Sequence, residues 1–111
     1  MTDFAFLYRG GEMGQSPSEM QARMQKWTAW MAELQAAGHL KDRGHPLERT
    51  GKTVGKDRSV TDGPYPEKDI IGGFTLISAE NLDQAAQLSK GCPIFEFGGI
   101  VEVRALIKLD P

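Results

Sequence analysis

Apolar and polar positions along the chain fall into short regular runs separated by glycine and proline. Phe4-Ala5-Phe6-Leu7-Tyr8-Arg9 is aromatic and apolar and stops at Gly10-Gly11, which predicts a strand followed by a loop. Ser16 then stands before Pro17, with Glu19 three residues further on. A capping box with proline at the first helical position marks a helix start there. Met20, Met24, Trp27, Met31 and Leu34 follow at spacings of four and three, a single stripe that predicts a helix ending at Gly38, its stripe packed in the core. From His39 to Asp62 the chain turns polar and is cut by Gly44, Pro46, Gly51 and Gly55. Pieces such as Lys52-Thr53-Val54 and Ser59-Val60-Thr61 read as hairpin-like strands on a sheet edge.

Ile70 to Ser78 reads as a buried strand in which Gly72-Gly73 marks a bulge or a close backbone approach. Asn81 with Gln84 three residues on caps a second helix through Leu82, Ala85, Ala86 and Leu88, which stops at Gly91. In IVEVRALIKL, Val101, Val103, Ala105 and Ile107 share one face of a strand, and Glu102, Arg104, Leu106 and Lys108 share the other. Two helices interleaved with strands in this order predict an α+β fold: a ferredoxin-like split βαβ with an antiparallel sheet and both helices on one face. The second face would carry Leu106 and part of the FAFLY run into water, so a homodimer is expected to cover it.

At 111 residues the chain is the size of one domain, here taken as 1–111. Apolar residues make up 40% and charged residues 25%, close to average soluble proteins. The net charge of −2 steers no polyanion or membrane surface, so neither nucleic acid nor membrane is an expected partner. Residues 41 to 58 hold six Lys or Arg against three Asp or Glu, a local excess of three that reads as a solvated hairpin. Cys92 is the single cysteine, which rules out an intrachain disulfide and any site built on several thiolates. No signal-peptide core or stretch of about 18 apolar residues is present, and a cytoplasmic location is expected.

Motif chemistry is sparse. Thr50-Gly51-Lys52-Thr53 resembles the end of a phosphate-binding loop, but Pro46 stands where the earlier glycine is needed and no helix follows. Gly10-Gly11-Glu12-Met13-Gly14 lies between a strand and a helix N-terminus, where an anion could sit, yet lacks the dinucleotide spacing and reads as a flexible loop. His39 and His45, with Asp42 and Glu48 nearby, match no metal-ligand spacing; no metal and no cofactor is expected. Cys92 follows the helix-ending Gly91, where a thiol pKa rises, so it is not a catalytic thiolate. In SVTDGPYPEKDIIGGF, Asp62-Gly63-Pro64 suffices for a turn in which Asp62 bonds its own backbone. Tyr65, Glu67, Lys68 and Asp69 behind it are dense enough in polar groups to line a pocket.

TDGPYPEKDIIGGFTLI, NLDQAAQLSKGCP and VEVRAL together resemble the YCII-related family, in its branch known for the DGPF motif, and WTAWMAELQAAGHL resembles that family's first helix and turn. Tyr65 stands here in place of the motif's phenylalanine. The resemblance implies a dimeric α+β barrel with a cleft, in a family of mostly unassigned activity that includes suspected enzymes with a histidine and an aspartate near the cleft, and members fused to sigma factors. The position of that histidine falls at Trp27, which cannot transfer a proton as imidazole does. Two functions follow as expectations. One is a small-molecule binding protein or cryptic enzyme whose cleft holds Asp62, Tyr65, Glu67, Lys68, Glu102, Arg104 and Trp27. The other is a non-catalytic dimeric interaction module linked to transcriptional regulation.

Overall fold

A computed structural model describes residues 1–12 and 14–109; Met13, within the glycine-rich loop, and the last two residues of the expected 1–111 domain lie outside the described part. Strands β1 (Thr2–Gly10), β2 (Leu40–Pro46), β5 (Ile71–Ala79) and β6 (Gly99–Ala105) form one antiparallel sheet in the order β2-β5-β1-β6. Among the described residues, strands β3 (Lys52–Val54) and β4 (Val60–Asp62) pair only with each other, in a hairpin arm. Helix α1 (Pro17–Ala36) connects β1 to β2, and α2 (Leu82–Ser89) with a 3-10 turn over Pro93–Phe97 connects β5 to β6.

Both helices start as the sequence predicts. Ser16 Oγ accepts the Glu19 N–H at 3.2 Å and Asn81 Oδ1 accepts that of Gln84 at 2.8 Å, each satisfying a donor the first turn leaves unpaired. Beneath them, alternate residues Phe4, Phe6 and Tyr8 of β1 and Ile77 and Ala79 of β5 form the core with Trp30, Met31 and Leu34 of α1 and Ala85 of α2. Contributions from both helices to one cluster put both on the same face of the sheet. The bulge foreseen at the double glycine is there: Tyr8 pairs with Gly73 and Arg9 with Ile71, leaving Gly72 as the extra residue.

The α1 stripe needs correction. Met20 and Met24 are 43% and 65% exposed, whereas Trp30, off the stripe, is buried. The first half of the helix runs beside the 3-10 turn, with the Arg23 guanidinium 4.3 Å from the Phe97 ring centroid and Lys26 bonded to Glu96, and only its second half covers the sheet. Helical spacing identifies a face without saying how far along the helix that face finds a partner. The chain measures 47 × 43 × 19 Å, a slab one sheet and one helix layer thick. On its uncovered face lie Ala5, Leu7, Phe74 and Leu76, all half-buried, and at β6 the more exposed Ile100.

Candidate functional site

The Asp-Gly-Pro turn closes the hairpin arm, though not through the bond expected of Asp62. Two residues on stands Pro64, which has no N–H to give. The Gly63 N–H instead donates to Gly51 O at 2.7 Å, the Thr53 hydroxyl donates to Gly63 O at 3.0 Å, and Gly63 takes φ +90°. The Asp62 carboxylate points outward and accepts from Lys52 Nζ at 2.6 Å, with 92% of its side chain exposed. Tyr65 is likewise exposed, and Lys68 is on the surface.

Beyond the turn the segment comes back onto the sheet, and Arg9 receives it. Arg9 projects from the end of β1 on the uncovered face, diagonally across from Glu102, since Leu7 pairs with Glu102 and Arg9 with Ile100. Its Nε donates to Glu102 Oε1 at 2.7 Å, and its Nη1 donates to Glu67 Oε2 at 2.6 Å and to the Asp69 carbonyl at 2.9 Å. Gly10 N–H also donates to Ile70 O, so backbone and side chain fasten the same crossing. Arg104 Nη1 reaches the other oxygen of Glu102 at 3.4 Å. Of the residues read from the sequence, Glu67, Glu102 and Arg104 are thus brought together, and the residue that joins them was not among them. Asp62 and Arg104 have separate partners within the chain.

The hydrogen bond from Arg9 holds the Glu102 carboxyl below its ordinary value of 4.5, with Arg104 adding a smaller effect. A depressed folded-state pKa contributes stability that is present above the unfolded-state value and lost as pH falls through the folded one. Acidification from neutrality to about pH 3 should therefore loosen the junction between the arm and the sheet. In Glu102→Gln the difference in urea midpoint between the two pH values should shrink; an unchanged difference would mean that this ion pair does not report on folding.

Trp27 takes no part in the Arg9 cluster. It lies on the helix side of the sheet, half-buried and edge-on to Tyr8 at 4.8 Å between centroids. The Tyr8 hydroxyl donates to Thr75 Oγ1 at 2.7 Å, and that hydroxyl donates to Arg43 O at 2.9 Å, a satisfied chain inside the core. Burial pushes the Tyr8 phenol well above its usual value, which suits a structural hydroxyl. Cys92 is buried and its thiol is pushed up to about 12, by burial rather than by the helix end invoked from the sequence. In the glycine-rich loop the Glu12 N–H donates to Phe97 O, so it is not free to hold an anion. His45, on edge strand β2, stands edge-on to Phe74 at 6.3 Å on the same uncovered face as Arg9.

Among the described residues, one open concavity lies around Met1, Asp3, Leu106 and Ile107 and another along α1 around Met24 and Thr28; neither contains the Arg9 cluster. No helix among the described residues is long and apolar enough to cross a membrane.

Comparison with curated proteins gave no match. Among solved structures, the chain is similar to the 5-chloro-2-hydroxyhydroquinone dehydrochlorinase TftG of Burkholderia phenoliruptrix AC1100 in complex with 2,5-dihydroxybenzoquinone, at 25% identity over 90% of each chain with a TM-score of 0.43. The YCII-related domain matches residues 4–110, nearly the full length, and so takes in both helices, every strand from β2 to β6, most of β1 and the Arg9 cluster together. The chain belongs to the YCII-related domain family.

Proposed function

We propose that this chain acts as a homodimer whose uncovered sheet faces pack on one another, giving a dimeric α+β barrel, and that a small molecule binds in the cleft at the rim of that interface. The observation that carries this reading is the docking of the segment that follows the DGPY turn, at Glu67 and Asp69, onto Arg9. It brings Glu67 over the sheet next to Glu102, at the edge of a half-buried apolar surface. Strand order β2-β5-β1-β6 with both helices on one face supports a ferredoxin-like split βαβ, and Asp62-Gly63-Pro64-Tyr65 supports the DGPF-motif branch. An apolar floor bordered by a few convergent polar groups is the usual character of a ligand cleft. The same reading takes residues 1–111 as one cytoplasmic domain, and leaves room for a cryptic enzyme.

The reading of a non-catalytic dimeric module is favoured by one feature: Glu67 and Glu102 are already engaged by Arg9. A thermal-shift screen of small molecules separates the two. Ligands of the cleft should shift the wild-type melting temperature and lose that shift in Glu102→Gln. They should keep it in Asp62→Asn, where only an exposed contact with Lys52 changes. A response lost in Asp62→Asn alone would move the site to the arm, and no responders at all would favour the module. Both readings need a dimer burying more than roughly 1,000 Å², and a monomer at tens of micromolar in light scattering would sink them together.

A further inference from the structure

The uncovered face has a pattern that specifies how two copies meet. Backbone register aligns Asp42, Leu76, Ala5 and Arg104 in one row across β2-β5-β1-β6, and His45, Phe74, Leu7 and Glu102 in the next. Each row runs from one polar edge to another across an apolar middle, with the bulky Leu76 or Phe74 on β5 and the smaller Ala5 or Leu7 on β1. The two edges differ in kind, with Asp42 and His45 on β2 and Arg104 and Glu102 on β6. Lys41, also on β2, is occupied by Asp3.

We infer that the two-fold axis of the dimer runs along the strands, so that β2 of one copy lies over β6 of its partner and each cleft is composite. It combines His45 of one copy with Glu102 of the partner subunit. This rests on the homodimer reading above. Sheets pack face to face about 10 Å apart with their strands nearly aligned. An axis along the strands keeps the rows in register and reverses their order, which sets Asp42 against Arg104 of the partner subunit and His45 against Glu102 of the partner subunit, each pair formed twice. In the middle it sets Leu76 over Ala5 of the partner subunit and Phe74 over Leu7 of the partner subunit, large on small, as close packing of two faces requires. An axis across the strands, midway between the rows, would instead stack Phe74 on Leu76 and Leu7 on Ala5, crowding one half and leaving a gap in the other. It would also repeat the contact between Glu102 and Arg104 already made within the chain.

Within one chain, His45 and Glu102 are three strand spacings apart, about 14 Å, so no single copy can bring them together. Neither Phe74 with its edge-on His45 nor the Arg9–Glu102 pair closes a cleft alone.

The test is a pair of cysteines, His45→Cys with Glu102→Cys, treated with dibromobimane, a short bifunctional thiol reagent that reaches a few ångströms farther than a direct disulfide. Across two sheets about 10 Å apart the facing side chains bring their sulfurs within its reach, whereas the about 14 Å between the two positions in one chain lies beyond it, so a bridge can form only between copies. The double variant should run as a covalent dimer, and each single variant, which retains the buried Cys92, should not. In a second measurement, Asp42→Arg or Arg104→Asp alone should weaken dimerisation about ten-fold, and the two together should restore most of it, since opposite charges meet again. A wild-type dimer with no cross-link in the double cysteine variant and no rescue by the charge swap would overturn the axis while leaving the homodimer intact. A wild-type monomer would overturn both.

Discussion

Gly44→Ala should be among the most destabilising single substitutions in the chain. Gly44 lies in β2 with φ +69°, and a Cβ built there would sit 1.8 Å from the carbonyl oxygen of Phe74 and 2.7 Å from its carbon. No flexible side chain can move aside, because the obstacle is the backbone of β5, which is paired on both sides. The left-handed conformation alone costs an alanine about 1–2 kcal/mol; forcing atoms into a filled space adds about 1–3 kcal/mol. A loss of about 2–5 kcal/mol is a large part of the roughly 5–15 kcal/mol that holds a domain together. Gly38→Ala is the control, since Gly38 has φ +80° and nothing within 4 Å of the added carbon. Only the conformational part should be lost there. Urea midpoints of the two variants measure the difference, and equal midpoints would show that β2 does not lie against β5 as described.

Why Gly44 matters cannot be seen from its neighbours in sequence, where it reads only as a breaker of a polar stretch. Features set by a few adjacent residues were legible: the Ser16 and Asn81 caps, the bulge at Gly72, and the Lys52–Val54 strand, matched to the residue. Strand β2 was less so. Its register against β5 slips between Leu40 and Asp42 and again between Asp42 and His45, so the period of two that announces a strand is absent from LKDRGHP. The same slips bring His45 to the uncovered face, and with the alternation gone nothing in the sequence placed it near Phe74.

The site divides in the same way. Glu67, Glu102 and Arg104 stood out as charged residues next to a turn or on an alternating strand. Arg9 closes an apolar run and looks like its solvent-facing end, yet its partners lie 58 and 93 residues away. Such a contact is set by sheet order, which alternation in a single strand does not contain. A single cleft holding both Asp62 and Arg104 would need the arm to fold back over the sheet. The arm instead extends from the sheet and is fastened further along, at Glu67 and Asp69.

Sheet order also decides which tryptophan supports this junction. Trp30→Ala should cost about 3–5 kcal/mol, the range for removing a buried aromatic side chain. Trp30 is 5% exposed, stacks on Phe6 at 6.0 Å and 15°, and touches the edges of Tyr8 and Trp27. Gly91 leaves it room, because a Cβ there would come within 3.0 Å of the indole nitrogen. Trp27, singled out from the helical stripe and from the family resemblance, covers the outer side of Tyr8 and is only half-buried, so Trp27→Ala should cost clearly less. The two losses should also differ in kind. Removing Trp30 empties space directly beneath Phe6 and Tyr8 on β1, the strand that presents Arg9 one residue further on, and the arm should become more sensitive to protease along with the core. Removing Trp27 should lower the unfolding midpoint modestly and leave the arm's protection unchanged. Denaturant midpoints with limited proteolysis of both variants test this, and a larger stability loss for Trp27→Ala than for Trp30→Ala would place the centre of the core one helical turn closer to the N-terminus of α1.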